Sequence, residues 1–265
     1  MYRWIHRIWY EGAGGHRFLL PLTGLYWLVL TARRVLYDVG VLGSRRATVP
    51  VVVVGNITAG GTGKTPVAIW LATELKSRGF RPGIVSRGYG GARSGTSMRV
   101  DAASDPAVVG DEPVLIAERT GCPVVVDPNR HRATELLVAD GVDVIIADDG
   151  LQHYRLERTY EVCIIDGARG LGNRYLLPAG PLRETVERLN EVDQVLVNGE
   201  LTTGKDEVTV VEQNAIRFDL VATEAIRLDG SVNRPIADFA GSTVHAVAAI
   251  GNPRRFFEML RVHDI

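Results

Sequence analysis

The sequence predicts an α/β protein built on a parallel sheet, and three observations carry that reading. A β-branched run, Pro50-Val-Val-Val-Val-Gly55, is bounded by Pro and Gly as a buried parallel strand would be. A glycine-rich turn over 58–65 leads straight into a helical pattern. Short apolar runs then alternate with helical stretches as far as residue 149, the rhythm of strands crossed over by helices on both faces of one sheet. In such a sheet a ligand binds at the carboxyl ends of the strands.

The elements follow in order. A helix is expected from Pro66 to Arg78: Val67, Ala68, Leu71, Ala72 and Leu75 share a face, Pro66 sits near its first position, and Gly79 supplies the stop. Gly83–Ser86 reads as a strand and is followed by a Gly/Arg/Ser loop to about 97. A helix starts near Glu112-Pro113 and ends at Gly121. Pro123–Val126 is a strand, Arg132–Ala139 a helix, and Val142–Ala147 a strand. After Asp148 the rhythm loosens. Strand-like runs appear at 161–165, 193–197, 208–211, 216–221 and 244–250, with a Gly/Pro-rich loop over 170–181 and a helix after Pro253. This gives three expected parts: a segment 1–49, a nucleotide-binding domain 50–157 and a smaller second α/β domain 158–265.

Composition narrows the function. Of the 265 residues 46% are apolar and 23% charged, enough to build a core, and the net charge of −1 argues against a nucleic-acid partner. Cys122 and Cys163 have no CxxC partner, so neither a zinc site nor a disulfide framework is expected, and a reduced, cytosol-facing protein is the simplest reading. The charge is uneven, however. Residues 1–50 hold seven Arg against Glu11 and Asp38, a balance of +5, together with Trp4, Trp9 and Trp27. Their apolar run, Phe18–Ala32, contains Pro21 and lies between Arg17 and the Arg33/Arg34 pair. A bilayer span needs ~20 apolar residues. A short apolar helix with Arg and aromatic flanks suits the interface of the anionic cytoplasmic leaflet.

The chemistry is concentrated in Thr58-Ala59-Gly60-Gly61-Thr62-Gly63-Lys64-Thr65, between the first strand and the first helix. Glycines there free backbone N–H groups to face a polyphosphate, a lysine meets its β/γ oxygens, a hydroxyl meets Mg²⁺, and a helix N-terminus points at the negative charge. The strict pattern has Gly where this chain has Thr58. The sheet is thus expected to be P-loop NTPase-like, binding ATP with Mg²⁺. Val144–Ala147 runs into Asp148 and Asp149, two carboxylates at a strand end and candidate metal ligands. A guanine reader, Asn-Lys-x-Asp, is not matched by Val197-Asn198-Gly199-Glu200. Ala59 takes the place of the lysine that opens the deviant P-loops of membrane-associated ATPases.

Six blocks then occur in order: Gly55–Pro66, Ser86-Arg-Gly-Tyr-Gly-Gly91, Gly110-Asp-Glu-Pro113, Asp148-Asp-Gly-Leu-Gln-His153, Leu177-Pro-Ala-Gly-Pro-Leu-Arg-Glu184 and Gly251-Asn-Pro-Arg-Arg-Phe-Phe257. Together they resemble the tetraacyldisaccharide 4′-kinase family, the lipid A kinases of Gram-negative bacteria. The resemblance implies transfer of the ATP γ-phosphoryl to the 4′-hydroxyl of an acylated glucosamine disaccharide lipid at the cytoplasmic face of the inner membrane, between a P-loop domain and a smaller one. It makes Asp111 the catalytic base, with Lys64 and His153 also catalytic and Glu112 assisting Thr65, Asp148 and Asp149 at the metal. Gln152 joins the site, and Arg87, Arg130 or Arg132, and Arg183 become candidates for holding phosphates. Taken alone, Asp111 before Glu112-Pro113 also suits a helix cap.

The resemblance also implies a further terminal segment with an Asp-His pair whose His orients the base, whereas this chain ends Val262-His263-Asp264-Ile265. A fragment or early-terminated version is therefore expected. Alternative readings are an impaired, membrane-bound ATP-binding module and a P-loop ATPase. No protein partner is evident.

Overall fold

The computed structural model describes residues 2–88, 95–201, 215–228, 230–250 and 252–265. Tyr89–Gly91, the run at 208–211 and Gly251 fall outside them.

Two helices open the chain, α1 (Tyr2–Tyr10) and α2 (His16–Asp38). The sheet strands are β1 (Val51–Gly55), β2 (Pro82–Ser86), β3 (Met98–Val100), β4 (Val124–Val126), β5 (Val144–Asp148), β6 (Tyr160–Asp166), β7 (Gln194–Asn198) and β8 (Ala215–Phe218). Between them lie α3 (Lys64–Ser77), α4 (Pro106–Val109), α5 (Asp111–Thr120) and α6 (Arg130–Ala139). The eight strands form one sheet in the order β3-β4-β2-β5-β1-β6-β7-β8, and all pairs are parallel except β3 with β4. A separate antiparallel ribbon pairs β9 (Glu224–Ile226) with β10 (Asn233–Pro235), and α7 (Pro253–Val262) follows.

Period-two alternation explains why these strands read as unbroken apolar runs: both faces are covered. Val51, Val53, Ile145, Ala147, Cys163, Ile165, Val195 and Val197 point into one core with Ala133 and Leu137 of α6. Val54, Ile146, Val162 and Ile164 point into the other with Val67, Ala68 and Ala72 of α3 and Ile116 of α5. The expected boundary at 157/158 does not divide this sheet. β6 lies directly beside β1, with Val54 in register with Val162, because its own apolar alternation fits the faces that β1 leaves open. The run at 244–250 forms no strand. No described strand pairs with it, and Val247 stays 89% exposed, so strand composition alone does not suffice there.

The apolar run at the N-terminus extends into a 23-residue helix, long and apolar enough to cross a membrane by length and composition. Its two sides differ. Thr23, Tyr26, Leu30 and Arg33, at helical spacing, face the domain: Thr23 Oγ1 donates to Leu176 O at 3.3 Å, Tyr26 Oη to Arg183 O at 2.8 Å and Arg33 Nη2 to Gln152 O at 3.0 Å, and Leu30 packs on the core. Phe18, Leu22, Leu25 and Val29 form a separate, exposed stripe beside it, with Phe18 at 89%. α1 is pinned too, through buried Ile8 and a 3.0 Å bond from Trp9 Nε1 to Pro178 O.

Candidate active site

The glycine-rich turn is held from outside by its carbonyls. Asn56 Nδ2 donates to Gly60 O at 3.2 Å and to Thr62 Oγ1 at 3.3 Å, Asn198 Nδ2 donates to Thr62 O at 3.0 Å, and Arg169 Nη2 donates to Gly61 O. Ala59 N donates to Pro181 O at 2.7 Å, and Thr58 is buried in a bridge with Leu182. That bridge is why Thr58 is accepted where the strict pattern has Gly: the position is extended backbone. Gly63, by contrast, has φ 100° as the residue capping α3, and a Cβ on it would stand 2.7 Å from Asn198 Nδ2. With the carbonyls of Gly60, Gly61 and Thr62 bound by side chains, the start of α3 is left for an anion.

Lys64, the first residue of α3, is largely buried, and its Nζ lies 3.7 Å from Asp149 Oδ1. Arg183 reaches the same carboxylate from the 177–184 loop at 3.1 and 3.2 Å. Burial would raise the Asp149 carboxyl, but Lys64, Arg183 and Arg130 hold it below the usual carboxylate range. Its neighbour is the opposite case. Asp148, the last residue of β5, is 1% exposed, and neither carboxylate oxygen has a hydrogen-bond partner among the described residues. Burial, and then the Glu112 carboxylate, push it up to about 7. Burial also raises Glu112, with Asp111 and Asp149 adding to this and Lys64 opposing it. Glu112, Asp148, Asp149 and Lys64 thus form one electrostatic cluster at the mouth of the turn.

Asp111 is the first residue of α5 rather than its cap. Gly110, at φ 92°, takes the cap position, and Asp111 Oδ1 accepts from the Glu112 N–H at 3.0 Å. The exposed Asp111 carboxylate is therefore free to face a substrate at the edge of the cluster.

Other expected residues are placed differently. Arg130 is fully buried and donates to the carbonyls of Asp148 at 2.5 Å and Asp149 at 2.9 Å, so it shapes the acidic turn from behind. Arg132 is engaged by Asp127 at 2.6 and 2.9 Å and by Gly95 O. Neither is at hand for a phosphate: Arg130 is enclosed in the fold and Arg132 is held by Asp127. Arg87 is exposed at the end of β2. His153 is surrounded by arginines: burial, and then the charges of Arg130, Arg158, Arg33 and Arg87, push its imidazole down to about 3. It is neutral at physiological pH, so it has no proton to donate there as an acid. Gln152 is a brace, donating from Nε2 to Asn56 O at 3.0 Å and to Glu184 Oε1 at 2.8 Å.

That brace belongs to a buried network absent from the sequence reading. Glu184 also accepts from Tyr154 Oη at 2.8 Å and lies 3.2 Å from Arg188 Nε, while Arg188 Nη2 grips both oxygens of Glu161 at 2.5 and 2.6 Å. The available signal was Glu161 itself, an acid inside the otherwise apolar run Tyr160–Ile165.

Mg²⁺ fits these residues. Asp148 presents two buried oxygens without a hydrogen-bond partner among the described residues, and Thr65 at the start of α3 carries a hydroxyl, hard donors for a hard ion. Among the described residues no group of three or more His, Cys, Asp or Glu is placed to hold an ion unaided. A P-loop metal takes its other ligands from phosphate and water.

Comparison with known proteins agrees with this geometry. A family profile described as LpxK, tetraacyldisaccharide-1-P 4′-kinase, matches residues 15–265. The tetraacyldisaccharide 4′-kinase of Pseudomonas syringae pv. syringae (strain B728a) is 48% identical over 254 residues, covering 95% of this chain and 74% of the relative. That of Pasteurella multocida (strain Pm70) is 46% identical over 256 residues, covering 96% and 75%. Among solved structures, LpxK from Aquifex aeolicus in complex with ATP superposes with a TM-score of 0.75 at 28% identity, covering 94% of this chain and 79% of that one. The braced P-loop, the acidic pair and these matches lead to one assignment: the chain belongs to the tetraacyldisaccharide 4′-kinase family.

Proposed function

We propose that this chain moves the γ-phosphoryl of ATP to the 4′-hydroxyl of a tetraacylated glucosamine disaccharide 1-phosphate, using Lys64, Asp111, Asp148, Asp149 and Arg183. The observation that carries the site assignment is the buried, unpartnered Asp148 carboxylate beside Lys64 at the mouth of the P-loop. The turn's N–H groups and the start of α3 bind the triphosphate, and Lys64 meets its β/γ oxygens. Asp111 takes the 4′-hydroxyl proton as that oxygen bonds to the γ-phosphorus and the bond to the ADP oxygen breaks. Arg183, anchored by Asp149, faces the developing phosphoryl charge. Thr65 and Asp148, with Glu112 nearby, would hold Mg²⁺, which when bound neutralises charge on the phosphates.

An acylated acceptor stays in a bilayer, so the enzyme must come to it. The exposed stripe of α2 and the +5 balance of residues 1–50 support a peripheral position on the cytoplasmic leaflet of the inner membrane. An open groove of about 530 Å³ runs between α2 and the loop that carries Arg183, lined by Leu20, Trp27, Tyr175, Leu176 and Val186, and an acyl chain suits it.

The test is transfer of labelled γ-phosphate to tetraacyldisaccharide 1-phosphate in detergent micelles, with Lys64→Ala as the control. Transfer that vanishes in the variant is expected. ATP bound without transfer would reduce the chain to a nucleotide-binding module, and hydrolysis independent of the lipid would favour an ATPase.

A further inference from the structure

The last turn of α1 docks on the turn that leaves β6, and that turn in its own right reaches the P-loop. Asn173 makes the first connection: its N–H donates to Trp9 O at 2.8 Å and its Nδ2 to Ile8 O at 3.2 Å. Gly172, at φ 60°, lets the two backbones approach, since a Cβ there would stand 2.7 Å from Trp9 O and 3.1 Å from Tyr10 Cε1.

Arg169 makes the second. Its Nε donates to Asp166 Oδ2 at 2.8 Å, its Nη2 donates to Gly61 O, and its Nη1 stands 3.4 Å from where a Cβ on Gly60 would lie. Tyr10 of α1 lies against the same guanidinium, with Cζ 5.8 Å from the ring centroid. Asp166, 3% exposed at the end of β6, is itself fixed. Its Oδ1 accepts from the Ala168 N–H at 3.1 Å, and its Oδ2 accepts from Asn252 Nδ2 at 3.1 Å. One rigid fork thus holds a buried carboxylate and a P-loop carbonyl at once, with an aromatic ring beside it; a lysine has no fork. The peptide unit is planar and trans, so an arm on Gly61 O also sets the direction of the Thr62 N–H, opposite to it. A peptide held before the nucleotide arrives needs less ordering when it binds.

We infer that α1 supports the triphosphate site of this kinase: Tyr10 positions Arg169, and Arg169 sets the Gly61–Thr62 peptide of the P-loop. Both are positioning residues, since each acts through another group. The inference rests on the kinase reading and gives the N-terminal helix a role apart from lipid. α1 precedes the stretch 15–265 that the family profile matches, so the profile does not assign this role.

Calorimetric titration of the full chain with ATP and Mg²⁺, in detergent without lipid acceptor, tests this beside steady-state kinetics. Arg169→Lys keeps the charge and a bond to Asp166 but loses the fork, so ATP should bind at least about fivefold more weakly. Tyr10→Ala should weaken ATP about two- to fivefold, and Tyr10→Phe, which keeps the ring, should restore the native affinity. In all three variants KM for the lipid should stay within about twofold of the native value, which separates this role from membrane attachment. Native ATP affinity in Arg169→Lys or in Tyr10→Ala overturns the inference, and so does a Tyr10→Phe as weak as Tyr10→Ala; in each case the kinase reading stands. Tyr10 is only half-buried, so its two variants keep the test intact if Arg169→Lys misfolds. Failure of the native chain to bind ATP would overturn both readings.

Discussion

Arg183 Nη1 lies 3.1 and 3.2 Å from the two oxygens of Asp149, and this pair joins the 177–184 loop to the acidic end of β5. The Arg183 N–H also donates to Ile57 O at 2.7 Å, so one residue is tied to the P-loop strand end by its backbone and to the metal-side carboxylates by its side chain. Tyr26 of α2 donates to the Arg183 carbonyl. The helix α2 and the carboxylate at the end of β5 are therefore both tied to one residue of that loop.

Arg183→Ala should cost catalysis more than stability. Its partner Asp149 is partly exposed and keeps Lys64, so the fold loses only about 1 kcal/mol. A charged donor at the phosphoryl is expected to be worth about ten- to a thousandfold in kcat. Steady-state kinetics beside thermal melting separates the two, and a large loss of Tm with unchanged kcat would refute the role.

Asp148→Asn should stabilise the empty enzyme while abolishing transfer. The folded carboxyl titrates at about 7 against an unfolded value near 4, so the folded state binds the extra proton. The penalty of holding the charged form in the fold is absent below pH 4, grows between 4 and 7, and is fully present above 7. The Tm gain of Asn over Asp, measured in chelator, should therefore be largest above pH 7 and vanish toward pH 4. A gain that does not change with pH would contradict this.

The network under the site makes a different prediction. Arg188→Ala leaves Glu184 buried without a cation and Glu161 with Arg158 alone, and should cost about 3–5 kcal/mol in urea unfolding. Arg188→Met combined with Glu161→Gln and Glu184→Gln should cost less than Arg188→Ala alone, because no buried carboxylate is then left without a cation. A cost for the triple variant equal to the sum of its parts would show that the three do not act as a unit.

Much of this was legible because the signals are local. The P-loop, its flanking strand and helix, and the Asp148–Asp149 turn follow from runs of a few residues whose backbone needs are specific, as at Gly63. What escaped depends on contacts distant in sequence. The membership of β6 and β7 in the first sheet is set by pairing of β6 with β1, over a hundred residues earlier, and of β7 with β6. Arg130 and Arg183 look alike in sequence, yet one is buried against carbonyls and the other opens to the site. His153 sits in a motif whose family resemblance makes it catalytic, and only its burial and the four arginines around it show that its imidazole is held neutral.

The last prediction concerns α2, whose two stripes separate membrane attachment from folding. Thr23, Tyr26, Leu30 and Arg33 dock the helix on the domain, and Phe18, Leu22, Leu25 and Val29 stay more than half exposed. Burying one such side chain in lipid is worth roughly 1.5–3 kcal/mol, so losing two should cut partitioning by more than about tenfold. Leu22→Asp with Leu25→Asp should therefore release the chain from anionic vesicles in a sedimentation assay. The same double variant should shift solution stability by less than about 1 kcal/mol, as surface changes usually do. Its transfer to micellar substrate should fall through KM rather than kcat, because the P-loop is untouched and only the encounter with the lipid surface is weakened. Vesicle binding that persists would mean that the exposed stripe is not what meets the membrane.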